Sequence, residues 1–297
     1  MYDTIIVGGG PAGLSAALIL GRCRRRVIVC DAGNPRNAAS HSLHGFLSWD
    51  GCNPAKLPQT ARDQLTPYGM ELWQTLVTDA ARKNSHFEVG LDDGTRLASR
   101  KLLLATGIVD KMPNSEGFDG LYGRSVFHCP YCDGWEVRDQ PLAVYARGPS
   151  GIQYAVGLTN WSNNFVLCTD GEAGFTGAEK KQLARYNIGL NEAPIARLER
   201  IDGSLQRIVF TSGEILERSA LLFSLGQGQR SDLAVQFGCK VPTQHGVETG
   251  QLEETAVPGL YVVGDASRDV QLAIVAAAEG VKAAFAINIA LQANSLR

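Results

Sequence analysis

Asp3-Thr4-Ile5-Ile6-Val7-Gly8-Gly9-Gly10-Pro11-Ala12-Gly13-Leu14 opens the chain with a β-branched apolar run that passes straight into a glycine turn. The run reads as a strand of a parallel sheet, and the alanine- and leucine-rich residues 14–21 read as the helix that follows. Each glycine then has its own task. Gly8 permits the tight turn, Gly10 lets a pyrophosphate approach the backbone, and Gly13 lets helix and strand pack closely, with the helix N-terminus facing the phosphates. Arg26-Val27-Ile28-Val29-Cys30 supplies a second strand. Asp31 follows it, about 20 residues past the glycines, where a carboxylate accepts from a ribose 2′-OH. Glycine turns alone are common; with this context the stretch reads as a dinucleotide site.

Working outward, Arg22, Arg24, Arg25 and Arg26 fall at the end of the first helix and in the turn after it, where cations complement the helix dipole. Residues 33–54 form a long polar segment holding Pro35-Arg36-Asn37 and His44-Gly45-Phe46-Leu47-Ser48-Trp49-Asp50-Gly51. Loops of that length inside a compact domain are usually functional. His41 and His44 read as loop polar contacts. Residues 56–68 read as a helix. Residues 71–77, 87–91 and 96–104 read as antiparallel strands, with Asp92-Asp93-Gly94 as a hairpin turn. The last of these strands ends at Ala105-Thr106-Gly107, and residues 110–123 read as a connector near a domain boundary.

Ser125-Val126-Phe127-His128 then leads into Cys129-Pro130-Tyr131-Cys132-Asp133-Gly134. This pair can close a disulfide or supply half of a metal site, and no second Cys-x-x-Cys or His-x-x-x-His exists to complete a zinc site. The other five cysteines (Cys23, Cys30, Cys52, Cys168 and Cys239) are scattered and read as small buried hydrophobes. Residues 141–146, the turn Arg147-Gly148-Pro149-Ser150-Gly151, a helix over 152–161 and a strand over 165–168 repeat the opening strand–turn–helix–strand. A helix over 177–187 and antiparallel strands over 195–198, 208–210 and 215–218 follow, and residues 220–226 mirror 102–107. Gly259-Leu260-Tyr261-Val262-Val263-Gly264-Asp265 is a strand ending in Gly-Asp, before an alanine-rich helix over 270–290.

The net charge of −2 over 297 residues, 44% of them hydrophobic and 20% charged, gives no basic field for nucleic acid or an anionic membrane. No apolar run reads as approaching the ~20 residues of a membrane helix. The N-terminus reads as a strand rather than a signal peptide, which puts the cysteines in a reducing compartment, the cytoplasm.

In this order, Gly8 to Gly13, Ala105-Thr106-Gly107, Cys129-x-x-Cys132-Asp133-Gly134 and Gly264-Asp265 before a helix make the chain resemble the low-molecular-weight thioredoxin reductases over nearly its full length. The loop residues 35–51 and the His128-Cys129-Pro130-Tyr131-Cys132 form narrow the resemblance to a divergent branch. That branch includes dithiol oxidases of gliotoxin-type pathways and pyridine-nucleotide-independent reductases such as a cyanobacterial deeply rooted thioredoxin reductase. The resemblance implies an α/β fold of two dinucleotide-binding, Rossmann-like, three-layer ββα domains, the second inserted in the first. Residues 1–112 and 239–297 are then the FAD-binding domain, and residues 113–238 the inserted domain with the redox pair and a degenerate NAD(P)-type fold. It implies a homodimer, with thioredoxin or a small dithiol as partner.

By the same resemblance, Gly8, Gly10, Pro11, Ala12, Gly13, Asp31 and Ala32 hold the ADP half of FAD. Arg36, Asn37, Thr106, Gly107, Gly264 and Asp265 complete the cofactor site, Asp265 at the ribityl chain. Gln271 and Leu272, at the start of the last helix, approach the flavin's pyrimidine edge. Cys132 faces the flavin, Cys129 faces the substrate, and Asp133 is the acid/base; His128 is a further candidate for proton transfer.

The second fingerprint departs from the family pattern. Ala146 replaces its first glycine, and a Cβ there opposes the tight turn. Thr169-Asp170-Gly171-Glu172 stands where a basic cluster would clasp the 2′-phosphate of NADPH. NADPH is therefore not expected; an acid at a strand end is the NADH arrangement and leaves room for weak NADH use. The expected function is an FAD-dependent disulfide oxidoreductase that exchanges electrons between flavin, the Cys129/Cys132 disulfide and a dithiol or disulfide substrate. The electron donor or acceptor is not legible. An O2-coupled small-molecule dithiol oxidase is the alternative, and a flavin-binding redox sensor with little turnover a third reading.

Overall fold

The computed structural model describes residues 1–242 and 246–293. The chain divides into two units. Unit 1 comprises Met1–Ala38, Gly45–Val109 and the chain from Gly228 onward; unit 2 comprises Ala39–His44 and Asp110–Gln227.

Unit 1 begins β1 (Tyr2–Val7), α1 (Pro11–Arg22), β2 (Val27–Asp31), α2 (Lys56–Leu65), β3 (Glu71–Gln74), β4 (Val77–Lys83), β5 (His86–Leu91), β6 (Arg96–Leu104) and β7 (Ile108–Asp110). Its sheet runs β3-β2-β1-β6-β5-β4. The nine residues of β6 have two partners on one flank: the first half pairs antiparallel with β5, and Leu102–Leu104 pair parallel with Leu260–Val262 of a strand from the far end of the chain. Alternating side chains feed two cores. Ile5, Ile28, Leu102 and Leu104 face the hairpin strands through Phe87 and Val89. Ile6, Val29 and Leu103 face the helices through Ala16, Ala17, Ala283 and Ile287. A sheet buried on both faces explains the unbroken apolar runs of β1 and β2.

Unit 2 holds β8 (Val126–Phe127), α3 (Pro130–Asp133), β9 (Leu142–Ala146), α4 (Gly148–Gly157), β10 (Phe165–Cys168), α5 (Gly177–Arg185), β11 (Gly189–Asn191), β12 (Ile195–Ile201), β13 (Ser204–Phe210), β14 (Ile215–Glu217) and β15 (Ala220–Ser224). Strands β11-β10-β9-β15-β8 make a five-stranded sheet, and β12-β13-β14 a three-stranded antiparallel one. Val144, Leu167 and Leu222 face the helices, and Ala143, Leu221 and Phe223 face the small sheet through Ile208 and Phe210. Helices, parallel sheet and antiparallel strands again form three layers, so the expected α/β class of paired Rossmann-type units is the observed fold.

The chain then runs through β16 (Gln227–Gln229), α6 (Leu233–Gln236), β17 (Leu260–Val262) and α7 (Ala273–Ala293). Four expectations are corrected. Residues 228–238, read as part of the inserted domain, belong to unit 1, because Leu233 and Ala234 of α6 are buried in its core. Residues 39–44 belong to unit 2, where the backbone of Ala39 lies so close to Gly123 that a Cβ on that glycine would sit 2.3 Å from the Ala39 oxygen. Residues 71–77 are not one antiparallel strand: β3 is parallel to β2, and the alanine-containing β4, unread from sequence, makes the antiparallel pairing. Lastly, α7 spans 21 residues with mean hydropathy 1.7, long and apolar enough by those measures to cross a membrane. In this fold it packs on α1 instead. A Cβ at Gly280 would meet the Ala12 carbonyl oxygen at 2.0 Å, which is why glycine stands at the crossing.

Candidate active site

In unit 1 the opening glycines differ sharply in their surroundings. Gly8 takes φ +110°, and a Cβ there would lie 2.2 Å from the Ala105 oxygen; one at Gly13 would lie 1.9 Å from the Gly8 oxygen. Those two are glycine for the fold. A Cβ at Gly10 would meet nothing within 4 Å, so the backbone there is open to a ligand. Pro11 opens α1, and no side chain caps it. Free N–H groups at a helix start, with open space before them, suit a pyrophosphate. Asp31 ends β2 and accepts from Arg62 at 3.0 Å and from the backbone N–H of Gly33 at 3.2 Å. With Gly9, Leu14, Val29, Leu72, Trp73 and Gln74 this pair lines a hollow of about 230 Å³. Arg62 and Trp73 were missed by the sequence reading, since Trp73's half-exposure on the edge strand β3 is a product of the fold. A larger hollow of about 670 Å³, lined by residues such as Arg82, Arg100 and Lys101, holds none of the predicted site residues.

Arg36, Asp265 and Gln271 come together although more than 220 residues separate the first from the others: Arg36 donates to Asp265 at 3.0 Å and to Gln271 at 2.8 Å. Gly264 precedes Asp265 at φ +72° and donates its N–H to buried Glu279 of α7 at 2.8 Å. Arg268 links Glu279 to fully buried Glu253, which also pairs with Lys282. Burial raises the Glu279 carboxyl above its ordinary range. This ionic chain under the Gly264 turn was not read from sequence. Gln271 and Leu272 precede α7, which starts at Ala273 and not at Val270; Leu272 lies beside Gly45. Gly107 takes φ +68° and Thr106 stands half-buried before it. Ala32 is exposed and Asn37 half-buried. The glycine cradle, the open hollow at Asp31 and the Arg36–Asp265–Gln271 cluster fit a flavin dinucleotide.

In unit 2, Cys129 and Cys132 are paired as a disulfide with Cα atoms 5.3 Å apart, the arrangement the redox reading calls for. Cys129 is extended at φ −120°, and its carbonyl accepts from the N–H groups of Cys132 and Asp133, winding the single turn α3. Gly134 ends that turn because a Cβ would lie 2.4 Å from the Pro130 oxygen. Both cysteines are half-buried, while Tyr131 between them is exposed and meets Trp161 edge-on at 5.4 Å. Burial, with a smaller push from Glu136, raises the Asp133 carboxyl from 3.8 to about 6, against an opposing pull from His44. His44 itself lies 3.5 Å from Glu136, the loop contact expected of it. His128 Nδ1 lies 2.9 Å from the Tyr122 hydroxyl, and its carbonyl accepts from Tyr154. Of the five other cysteines, Cys30, Cys168 and Cys239 are buried as expected; Cys23 is exposed, since it caps the end of α1, and Cys52 is half-buried.

The second fingerprint is built differently from the first. Ala146 ends β9 and is fully buried. The positive φ that falls on Gly8 in unit 1 falls here on Gly148, at +65°. Helix α4 also starts at Gly148, whereas α1 starts one position later in the matching motif, at Pro11. Arg147 folds over Asp170, Nη2 to Oδ2 at 2.6 Å, and also donates to the carbonyls of Thr169 and Asp170. The acid that follows β10 is thus already paired with a guanidinium.

The pattern of the pyridine nucleotide-disulphide oxidoreductase family matches residues 2–280. A thioredoxin reductase of Aspergillus oryzae, aclD, is 30% identical over 97% of this chain and 95% of its own. The thioredoxin reductase tcpT of Claviceps purpurea is 31% identical, covering 89% and 86%. The crystal structure of HlmI is similar at TM-score 0.95 with 33% identity, covering 99% and 94%. A putative thioredoxin reductase, TrxB, from Bacillus anthracis is similar at 0.93 with 29% identity, covering 99% and 100%.

Proposed function

The chain belongs to the pyridine nucleotide-disulphide oxidoreductase family, and from that premise we propose that it exchanges electrons between FAD, the Cys129–Cys132 disulfide and a thioredoxin or small dithiol, without NADPH. The observation that carries the proposal is the half-buried disulfide with Asp133, raised to about 6, next to Cys132. FAD supplies two-electron exchange with a disulfide. The cofactor would be held by the Gly8–Gly13 turn, Asp31, Arg36, Asp265 and Gln271.

The chemistry of this chain's own residues is thiol–disulfide exchange. In the reduced pair, the Cys129 thiolate attacks one sulfur of the substrate disulfide. A mixed disulfide forms and one substrate thiolate leaves, taking a proton from Asp133. The Cys132 thiolate then attacks the Cys129 sulfur, the second substrate sulfur leaves as a thiolate, and the Cys129–Cys132 bond is restored. Run in reverse, the same residues oxidise a dithiol, with the Asp133 carboxylate as base. The two half-buried sulfurs do not by themselves distinguish the flavin-facing from the substrate-facing cysteine, so that assignment rests on the family resemblance. A homodimer in the cytoplasm completes the proposal.

The Arg147–Asp170 pair favours a donor or acceptor other than NADPH, and so gives weight to the O2-coupled dithiol oxidase as second reading. Anaerobic mixing of the FAD-loaded protein with dithiothreitol, reduced thioredoxin or NADPH tests both. Bleaching of the flavin by either dithiol but not by NADPH is expected, and Cys132→Ser should trap a mixed disulfide at Cys129, visible by mass. Reoxidation in air with fast peroxide release selects the oxidase, and slow release the reductase. Rapid bleaching by NADPH at micromolar concentration overturns NADPH independence.

A further inference from the structure

The two units repeat one motif, so each position of the second fingerprint has a counterpart in the first. Aligned from Gly8 and Ala146, Gly9 pairs with Arg147, Gly10 with Gly148 and Gly13 with Gly151; at the end of the next strand Asp31 pairs with Asp170. In unit 1 a Cβ at Gly9 would lie 2.5 Å from Asp31 Oδ2. The second fingerprint position therefore points at the acid proposed to bind ribose, and glycine leaves that side of the acid uncovered, its Oδ2 being held instead by Arg62 of α2 at 3.0 Å. Arginine at this position in unit 2 does what the unit 1 geometry dictates: its side chain lands on the acid. Arg147 Nη2 reaches Asp170 Oδ2 at 2.6 Å and the Asp170 carbonyl at 2.9 Å, and Nε reaches the Thr169 carbonyl at 3.0 Å. Asp170 is held from behind as well: Oδ2 accepts from the Tyr145 hydroxyl at 2.6 Å, and Oδ1 from the Ile195 N–H at 2.7 Å.

We propose that unit 2 keeps a latent dinucleotide site of the NADH type, which Arg147 holds shut by occupying Asp170. The proposal rests on the reading that this unit no longer serves NADPH. Three features of the site survive. Gly148, although at φ +65° where Gly10 has −77°, shares with Gly10 an open Cβ position with nothing within 4 Å, so a pyrophosphate still has a backbone approach. Gly151 packs against Ala146 so closely that a Cβ would stand 3.0 Å from the Ala146 Cβ. Asp170 stays fixed by Tyr145 and Ile195 when the guanidinium is gone, and the lone pair of Oδ2 that Arg147 occupied can then accept a ribose hydroxyl. The same acid, and Glu172 two residues on, repel a 2′-phosphate, which sets NADH apart from NADPH.

Isothermal titration of the FAD-loaded protein with NAD+ and with NADP+ tests this without turnover. Arg147→Gly, which restores the unit 1 residue, is expected to bind NAD+ at least about tenfold more tightly than the unaltered protein, a change of about 1.4 kcal/mol. NADP+ should gain nothing, and Arg147→Gly with Asp170→Asn should lose the gain. Arg147→Met, which keeps the side-chain stem, covers the case in which glycine loosens the turn and should gain in the same direction. The proposal is overturned if both single variants bind NAD+ no better than the unaltered protein while their melting temperature and flavin spectrum are unchanged. It is also overturned if NADP+ gains equally, since the arginine would then be only a steric plug. Tight NADP+ binding by the unaltered protein is a different result: it sinks NADPH independence itself.

Discussion

Asp133 carries a proton at pH values where an ordinary aspartate has lost it, because burial disfavours its charge. A carboxyl raised in the fold binds its proton more tightly than in the unfolded chain. The stability linked to it is therefore full below about pH 4 and lost as pH rises through about 6. The catalytic sign depends on direction. When the chain reduces a disulfide, Asp133 gives a proton and the rate should fall through about pH 6; when it oxidises a dithiol, the carboxylate accepts one and the rate should rise. Asp133→Asn should remove either limb and slow exchange by about 10²–10⁴-fold, which a pH series of single-turnover rates measures. The glycines separate folding from binding in the same way. Gly13→Ala drives a methyl into the Gly8 carbonyl and should lower the melting temperature markedly, in line with losses of about 2 kcal/mol or more for overpacking. Gly10→Ala touches no protein atom, so it should leave the melting temperature of the FAD-free protein alone and weaken FAD binding by about tenfold.

Elements were legible where local chemistry announced them. The β-branched run before Gly8 and the hairpin at Asp92-Asp93-Gly94 stand where spacing and turn residues put them, and the second strand–turn–helix is present too, though its helix starts at Gly148 and ends at Gly157 rather than running over 152–161. Legibility failed where partners are remote. Nothing in Glu71-Leu72-Trp73-Gln74 tells whether its neighbour is β2 or β4, and β4 hides because alanine and charged residues interrupt its alternation. The short β7 and β16 exist because they pair with each other across more than a hundred residues. The candidate site shows the same split. Cys129, Cys132 and Asp133 are contiguous and were read outright. Arg62 on Asp31, Glu279 under Gly264 and Arg147 on Asp170 are contacts made by the fold, and sequence offers only the residue types. Helix α7 adds an element-scale prediction. Its face away from α1 exposes Val281, Phe285 and Ile289 at a four-residue spacing, an apolar stripe suited to the proposed homodimer. Phe285→Glu should convert dimer to monomer in sedimentation while leaving the flavin spectrum intact; a monomeric unaltered protein would remove the dimer from the proposal.

At the scale of the molecule, one chain makes the same three-layer unit twice, and the sites differ through single positions within a shared frame. The first copy keeps glycine beside its acid, and the second puts arginine there. The proposed division of labour between the copies follows: the residues proposed to hold the cofactor gather in the unit built from three chain segments, and the cysteine pair sits in the unit built almost wholly from one. That segmentation has a consequence for how the protein is made. Unit 2 has all its strands by Ser224, so it has the material to fold while the ribosome is still translating. Unit 1 does not. The face of α1 that carries Ala12, Ala16 and Ala17 is covered by α7, which follows every other described element in the chain. A nascent chain therefore carries the glycine cradle early but lacks the helix that braces it until α7 has emerged, so the proposed cofactor should be captured late.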